Sequence, residues 1–311
     1  QDYIGLLLDN PHATFISTAA KLSIAGQMEL AGGGNSIQLG AECGQPSLYI
    51  IYGPSLPELT RKFQQFVGTT PLPPAWSLGY QQCRWGYMSE KDLVGLDREF
   101  TRHGIPVDGL WLDIEYMRGY RVFTFDAKHF PDPQKAAAKL AKKGRKIVPI
   151  IDPGVKHEPG YDVYERGHAA KAFCLNQQGG EYIGLVWPGE TAFPDYSMKS
   201  ARKWWAKEVA DFASLGIVGA WLDMNDPSTG KSDNAQMLFN KGQKPHTSYH
   251  NQYALGMAMA SREGFLDAHP EQRPFLLSRS GCTGSQRFTA IWTGDNYSNY
   301  HHLRNSIATT L

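Results

Sequence analysis

Two short stretches carry acidic residues out of apolar, strand-like runs. In Gly219-Ala220-Trp221-Leu222-Asp223-Met224-Asn225-Asp226-Pro227-Ser228 the run from Ile217 to Leu222 ends on Asp223. In Ala290-Ile291-Trp292-Thr293-Gly294-Asp295-Asn296 a second run hands over to Asp295. Each aspartate follows closely on a tryptophan. Cleavage of a glycosidic bond needs one carboxyl group to protonate the leaving oxygen and one carboxylate to face the developing oxocarbenium ion. Aromatic neighbours stack on the sugar and raise the pKa of any carboxyl group they desolvate. The competing reading of a lone Asp after a strand is a helix cap, a place Asp favours. Two such exits beside tryptophan turn the balance toward sugar chemistry.

The elements that position these residues read as alternating strands and helices from Ser77 onward, the pattern of βα units around a parallel sheet. Strands are expected at about 77–82, 107–112, 146–151, 218–223, 273–278 and 289–292. Helices fit between them at Glu90 to His103, Pro133 to Lys143, Met198 to Leu215 and His250 to Ala268. In Met198 to Leu215 the apolar residues Ala201, Trp204, Trp205, Val209 and Phe212 recur at helical spacing, which assigns both tryptophans to packing and not to a ligand. Polar residues follow the strands at their C-terminal ends, the catalytic face of a (β/α)8 barrel.

Ahead of this region, residues 1 to about 50 alternate short apolar runs with Asn, Gly and Pro, a β-rich pattern. Ala31-Gly32-Gly33-Gly34-Asn35-Ser36 reads as a hairpin or loop, since no strand follows to make it a phosphate loop. Pro57 to Val67 is a short helix, and Pro71 to Pro74 a stiff linker. The expected domains are therefore 1–70, the end of an N-terminal β-sandwich with its linker, and 71–311, an α/β catalytic (β/α)8 TIM barrel.

Composition narrows the class. A chain of 311 residues with a formal net charge of +1 has no basic stripe for nucleic acid. Its aromatics are interleaved with Gly and Pro at strand ends, which favours a small polar ligand over single-stranded nucleic acid. The longest apolar runs are strand length, short of the roughly 18 residues of a membrane span. Cys43, Cys83, Cys174 and Cys282 lie far apart without C-x-x-C pairing, so thiols are expected and no zinc site. His301 and His302 are adjacent and not at metal-ligand spacing. Compartment and oligomeric state stay open.

Trp221-Leu222-Asp223-Met224-Asn225-Asp226-Pro227 resembles the nucleophile signature W-x-D-M-N-E-P of glycoside hydrolase family 31, which holds α-glucosidases and α-xylosidases. Further segments agree in order: Pro73-Pro74-Ala75-Trp76 through Arg84-Trp85-Gly86-Tyr87, Trp111-Leu112-Asp113-Ile114-Glu115, Ile151-Asp152-Pro153-Gly154, Trp187-Pro188-Gly189 with Phe193-Pro194-Asp195, Ser278-Arg279-Ser280, and Trp292-Thr293-Gly294-Asp295. The resemblance spans roughly residues 70 to 300. It implies Asp223 as nucleophile and Asp295 as general acid and then general base. Arg279 would hold the nucleophile and a substrate hydroxyl, and Asp113 and Asp152 would accept hydrogen bonds from sugar hydroxyls. Trp76, Trp187, Trp292 and Met224 would form the apolar walls of the subsite. Asp113 and Asp152 also sit where a cap would, and Arg279 where a structural ion pair would.

The implied substrate is an α-linked oligosaccharide or α-glucoside, with no cofactor and no metal. The leading expectation is a retaining, exo-acting α-glucosidase. Alternatives are an α-xylosidase, α-galactosidase or α-transglucosylase of the same family, or a carbohydrate-binding protein that kept the fold without catalysis. Two departures from the family pattern bear on substrate detail: Asp226 stands where Glu is usual, and Glu115 where Asp is common. Only six of the eight barrel strands are expected in this stretch, which reads as a barrel truncated after about six strands within a longer chain.

Overall fold

The computed structural model describes residues 2–17, 21–24, 28–31, 37–45 and 47–310. The glycine-rich stretch expected to turn at 31–36 lies, beyond Ala31, outside the described residues. The chain divides into two compact units, Gln1–Thr69 with Thr247–Asn251, and Thr70–His246 with Gln252–Leu311.

The first unit pairs its strands antiparallel: β1 (Tyr3–Asp9) with β6 (Ser47–Gly53), β2 (Thr14–Ser17) with β5 (Gln38–Ala41), and β3 (Lys21–Ile24) with β4 (Met28–Ala31). Helix α1 (Leu56–Val67) starts at Ser55, whose hydroxyl accepts from the Glu58 amide. The helix lies so close to β6 that a Cβ at Gly53 would stand 2.7 Å from the Leu59 backbone nitrogen, which leaves room for glycine alone.

The second unit is built on one parallel sheet. Its strands are β7 (Gln81–Gln82), β8 (Gly109–Leu112), β9 (Lys146–Ile151), β13 (Gly219–Leu222), β14 (Phe275–Ser278) and β15 (Ala290–Ile291), hydrogen-bonded in that order. Helices α2 (Glu90–Arg102), α3 (Pro133–Ala141), α5 (Lys199–Ala213) and α6 (Tyr253–Ala268) make the crossovers, and α7 (Tyr300–Thr310) follows β15. Each expected strand is present; 146–151 has the expected bounds and the other five are shorter. The loss is largest at 77–82, where Ala75–Leu78 is instead a 3-10 turn. Pro74 there fixes an extended φ, and both the amide and the hydroxyl of Ser77 bond back to its carbonyl. At the expected start of α6, His250–Gln252 is likewise 3-10.

One part of the fold was not expected. Between β9 and α5 the chain inserts β10 (Val155–Lys156), α4 (Asp162–Ala169), β11 (Ile183–Val186) and β12 (Gly189–Ala192). The three strands form a separate antiparallel sheet with β12 in the centre. They are two to four residues long, too short for a period-2 pattern to register in sequence.

The sheet curls. Trp111 of β8 and Phe275 of β14 are separated by two intervening strands, yet their rings meet with centroids 6.5 Å apart. Residues alternate across a strand, so Gly109, Trp111 and then Asp113 line the concave side, as do Gly219, Trp221 and Asp223, and Phe275, Leu277 and Arg279. On the convex side the helices bury the main core. Trp205 of α5 is fully buried and donates its indole N–H to Ser261 of α6 at 2.9 Å. Both tryptophans of this helix are therefore core residues, as their spacing predicts.

Candidate active site

The concave side delivers its polar residues at the C-terminal ends of the strands. The parallel ladder runs one step past the strands themselves: the Asp223 amide donates to Ile151 O at 3.2 Å and the Arg279 amide to Leu222 O at 3.0 Å. These bonds fix the backbone from which both side chains project. Arg279 Nη1 then stands 3.2 Å from Asp223 Oδ1, an ion pair without hydrogen-bond alignment. Burial raises the Asp223 pKa and the Arg279 charge opposes that rise, while Asp295 and Asp113 add repulsion.

Asp152, one strand over, is 8 % exposed and its Oδ1 is buried without a partner. Burial first, then the Asp223 charge, pushes its pKa up to about 8, against a smaller opposing pull from Arg279. Asp152 therefore keeps its proton at neutral pH. Because it is neutral while Asp223 gives up its proton, the repulsion Asp223 feels comes from Asp295 and Asp113. Asp113 serves both readings of its position. Its Oδ1 accepts from the Ile114 amide at 2.8 Å and caps the 3-10 turn Ile114–Tyr116, and it also faces the site, where burial raises its pKa.

The turn after Asp223 stitches two strand exits together. Met224 has φ 55°, a left-handed conformation that a non-glycine residue adopts only where its surroundings over-determine it. Fully buried Asn225 donates to Ser278 Oγ at 2.8 Å and accepts from the Ser280 amide at 3.1 Å, one contact on each side of Arg279. Asp226 Oδ1 accepts from Arg279 Nη2 at 2.8 Å. Although burial raises the Asp226 pKa, the hydrogen bond and charge of Arg279 together with Ser228 outweigh it and hold the carboxyl below its ordinary value. Sequence reasoning gave no role to Asn225 or Ser228; their signal was the density of polar side chains in a turn so close to a strand exit.

The remaining expected residues fall into three places. Met224 joins the site, its Sδ 3.4 Å from Arg279 Nη2. Trp292 packs edge-on against Trp221 at 5.6 Å, and Asp295 lies three residues further on, exposed and near enough to repel both Asp223 and Asp113. Trp187, in the hairpin between β11 and β12, meets Trp85 at 5.9 Å and Tyr120 at 6.3 Å. Trp85 in turn donates its indole N–H to Glu115, two residues from Asp113, so these aromatics form a wall beside the acidic cluster.

Trp76 is not brought to this cluster. It packs edge-on against Phe275 at 5.8 Å, and its ring tip would lie 3.2 Å from a Cβ on Gly219. Both contacts are with first residues of strands, so Trp76 plugs the opposite end of the sheet. A residue that precedes its strand belongs at that end. Asp195, in the Phe193-Pro194-Asp195 segment, is also structural: it is fully buried and accepts from the Ser197 amide and hydroxyl. Among the described residues no group of three His, Cys, Asp or Glu is placed to hold a metal ion, and no helix is long and apolar enough to cross a membrane.

With this geometry in view, comparison with known proteins is specific. Residues 70–311 match the Glycosyl hydrolases family 31 TIM-barrel domain. The chain is 42 % identical over 272 residues to Alpha-glucosidase 2 of Bacillus thermoamyloliquefaciens, covering 86 % of this chain and 35 % of that protein. It is 37 % identical over 303 residues to human Neutral alpha-glucosidase AB, covering 94 % of this chain and 32 % of that protein. The crystal structure of a Family 31 alpha-glucosidase from Bacteroides thetaiotaomicron superposes with a TM-score of 0.80 at 36 % identity, covering 97 % of this chain and 47 % of that one.

The fold and site thus define a glycoside hydrolase barrel. The chain belongs to glycoside hydrolase family 31. Its six parallel strands are strands of the family's (β/α)8 barrel, as the sequence implies. The chain spans about a third of the length of these two curated relatives.

Proposed function

We propose that the protein is a retaining α-glycosidase, an exo-acting α-glucosidase that releases glucose from the non-reducing end of α-glucosides. The observation that carries the reading is the ion pair between Arg279 and Asp223 at the C-terminal end of the sheet. It keeps one carboxylate charged within an acidic, partly buried cluster. The relatives' designation as alpha-glucosidases supports the choice of sugar.

In the first step Asp223 attacks the anomeric carbon while Asp295 donates a proton to the departing glycosidic oxygen, which leaves a covalent glycosyl ester on Asp223. Asp295, now a carboxylate, takes a proton from water, whose oxygen attacks the anomeric carbon and displaces Asp223. Two inversions give net retention. Asp295 is suited to the shuttle by its exposure, which gives the leaving group and then water direct access to it. Oδ1 of Asp223 faces Arg279 Nη1, which leaves the second carboxylate oxygen for attack.

Proton NMR of the full-length protein acting on α-glucoside, α-xyloside and α-galactoside substrates tests this reading. α-Glucose is the expected first product. Initial β-glucose overturns the assignment of Asp223. Asp223→Ala abolishes turnover on every substrate, whereas Asp295→Ala spares the first step for aryl glucosides with good leaving groups. Equal, mild losses at both positions refute the division of roles.

A further inference from the structure

The hydroxyl of Ser228 stands at the junction of three side chains. Its Oγ accepts from Arg279 Nη2 at 2.5 Å and lies 3.0 and 2.9 Å from the two oxygens of Asp226. A hydroxyl has one proton and accepts through its lone pairs. Arg279 can only donate and ionised Asp226 can only accept, so the direction is fixed: Arg279 N–H to Ser228 Oγ, and Ser228 O–H to Asp226. Asp226 Oδ1 also accepts directly from the same Nη2 at 2.8 Å. One arm of the guanidinium is thus saturated by the turn, and the other, Nη1, is the arm directed at Asp223.

The guanidinium is a rigid planar fork, so fixing one nitrogen fixes the plane of the other. The turn itself is tied down. Its Ser228 amide bonds back to Met224 O at 3.0 Å, and Asn225 holds it to the residues on either side of Arg279. Asp226 also stands where the family signature has the longer Glu, and the Ser228 hydroxyl supplies a second acceptor for the same arm.

We infer that Ser228 is a positioning residue for the proposed glycosidase: with Asp226 it clamps one arm of Arg279 so that the other faces the nucleophile Asp223. The inference rests on the functional reading above. Its consequence is a charge effect transmitted through Arg279. Ser228 itself touches neither Asp223 nor, in the proposed mechanism, the reacting carbon. A clamped guanidinium holds the Asp223 carboxylate in its ionised form, and a loosened one holds it less.

Three variants of the full-length protein test the clamp: Ser228→Ala, Ser228→Thr and Asp226→Asn. An opposite charge within a few ångströms lowers a carboxyl pKa by about 1–3, so partial loss of alignment in Ser228→Ala moves the acid limb of kcat/KM upward by about one pH unit. Below the limb this is a roughly tenfold loss. The fall is carried by kcat, with KM little changed. Ser228→Thr keeps the hydroxyl and restores the limb, and Asp226→Asn, which keeps an acceptor oxygen but removes an anion that competes for Arg279, does not raise it. A residue that merely supports the fold lowers Tm or the yield of active enzyme without moving the limb.

A wild-type acid limb in Ser228→Ala overturns the inference, as do equal losses in the Ala and Thr variants with no displacement of the limb. A crystal structure of Ser228→Ala decides independently of turnover. The clamp predicts Arg279 Nη1 beyond ion-pair distance from Asp223; an unmoved Arg279 overturns it. Absence of glycosidase activity in the wild type overturns the functional reading instead, and the two failures are separable.

Discussion

Replacing Asp152 by asparagine converts its buried carboxyl group into a permanent mimic of the protonated form, and the effect depends on pH with a definite sign. In the fold the pKa of Asp152 is pushed from an ordinary 3.8 up to about 8, chiefly by burial and secondarily by the Asp223 charge. The folded state therefore binds this proton more tightly than the unfolded chain. Stability contributed by Asp152 is fully present below the unfolded value and is lost progressively as pH rises through the folded one. A tenfold change in proton affinity corresponds to about 1.4 kcal/mol, so the whole window amounts to at most about 6 kcal/mol. Local relaxation and water penetration reduce that to about 3–6 kcal/mol.

The Asp152→Asn variant has no proton to lose at this position. It differs least from wild type near pH 4 and gains relative stability up to about pH 8, where the difference levels off. For a unit of this size about 1 kcal/mol moves Tm by about 2–4 °C, so the gap at pH 9 exceeds that at pH 4 by roughly 6–24 °C. Thermal unfolding of both proteins in matched buffers from pH 4 to 9 measures it. Every other titrating group is shared, so the difference curve isolates this position. A difference independent of pH, or one that narrows as pH rises, refutes the argument.

Two further predictions concern packing and recognition. A Cβ on Gly264 in α6 would stand 2.3 Å from the Ala206 carbonyl oxygen and 2.7 Å from Val209 Cβ on α5, and backbone cannot yield cheaply. Gly264→Ala therefore costs about 2 kcal/mol net despite the better helix propensity of alanine, read as a Tm lower by about 4–8 °C; an unchanged Tm shows the helices are free to separate. Trp187→Ala removes the central ring of the Trp85–Trp187–Tyr120 wall. It raises KM for an α-linked oligosaccharide by about 2- to 10-fold with kcat little altered, and an unaltered KM removes this wall from the substrate path.

The strand exits were legible because a barrel imposes a rule that sequence displays: an apolar run that ends on a polar residue puts that residue on the C-terminal face. Asp113, Asp152, Asp223 and Arg279 all obey it. Trp76 shows how the same rule exposes an error. It precedes its strand, so topology places it at the other end, yet resemblance to a family motif assigned it to the subsite. The three-stranded insert was hidden for a different reason, since strands of two to four residues leave no period to detect. Asn225 and Ser228 were invisible because their partners, Ser278, Ser280 and Arg279, lie more than 50 residues away and meet them only when neighbouring strands pair.

What the sequence could not display is the distribution of charge, which follows from one cation set among several carboxyl groups. Arg279 lies within 3.2 Å of Asp223 and 2.8 Å of Asp226, and both Asp223 and Asp226 raise its own pKa against the opposing effect of burial. Asp226, bonded to Arg279 and to Ser228, is the more strongly acidic of the two. Asp152 feels only a weak share of that charge and keeps its proton. A protonated carboxyl group donates one hydrogen bond as well as accepting, so a neutral Asp152 presents a donor where the residue type alone suggests an acceptor. Three aspartates at two adjacent strand exits are thereby set apart: Asp226 is held below its ordinary pKa by Arg279 and Ser228, Asp223 is raised by burial against the pull of its arginine, and Asp152 is pushed up to about 8. The proposed chemistry needs this inequality, because a nucleophile must be charged where its neighbours would otherwise hold it protonated.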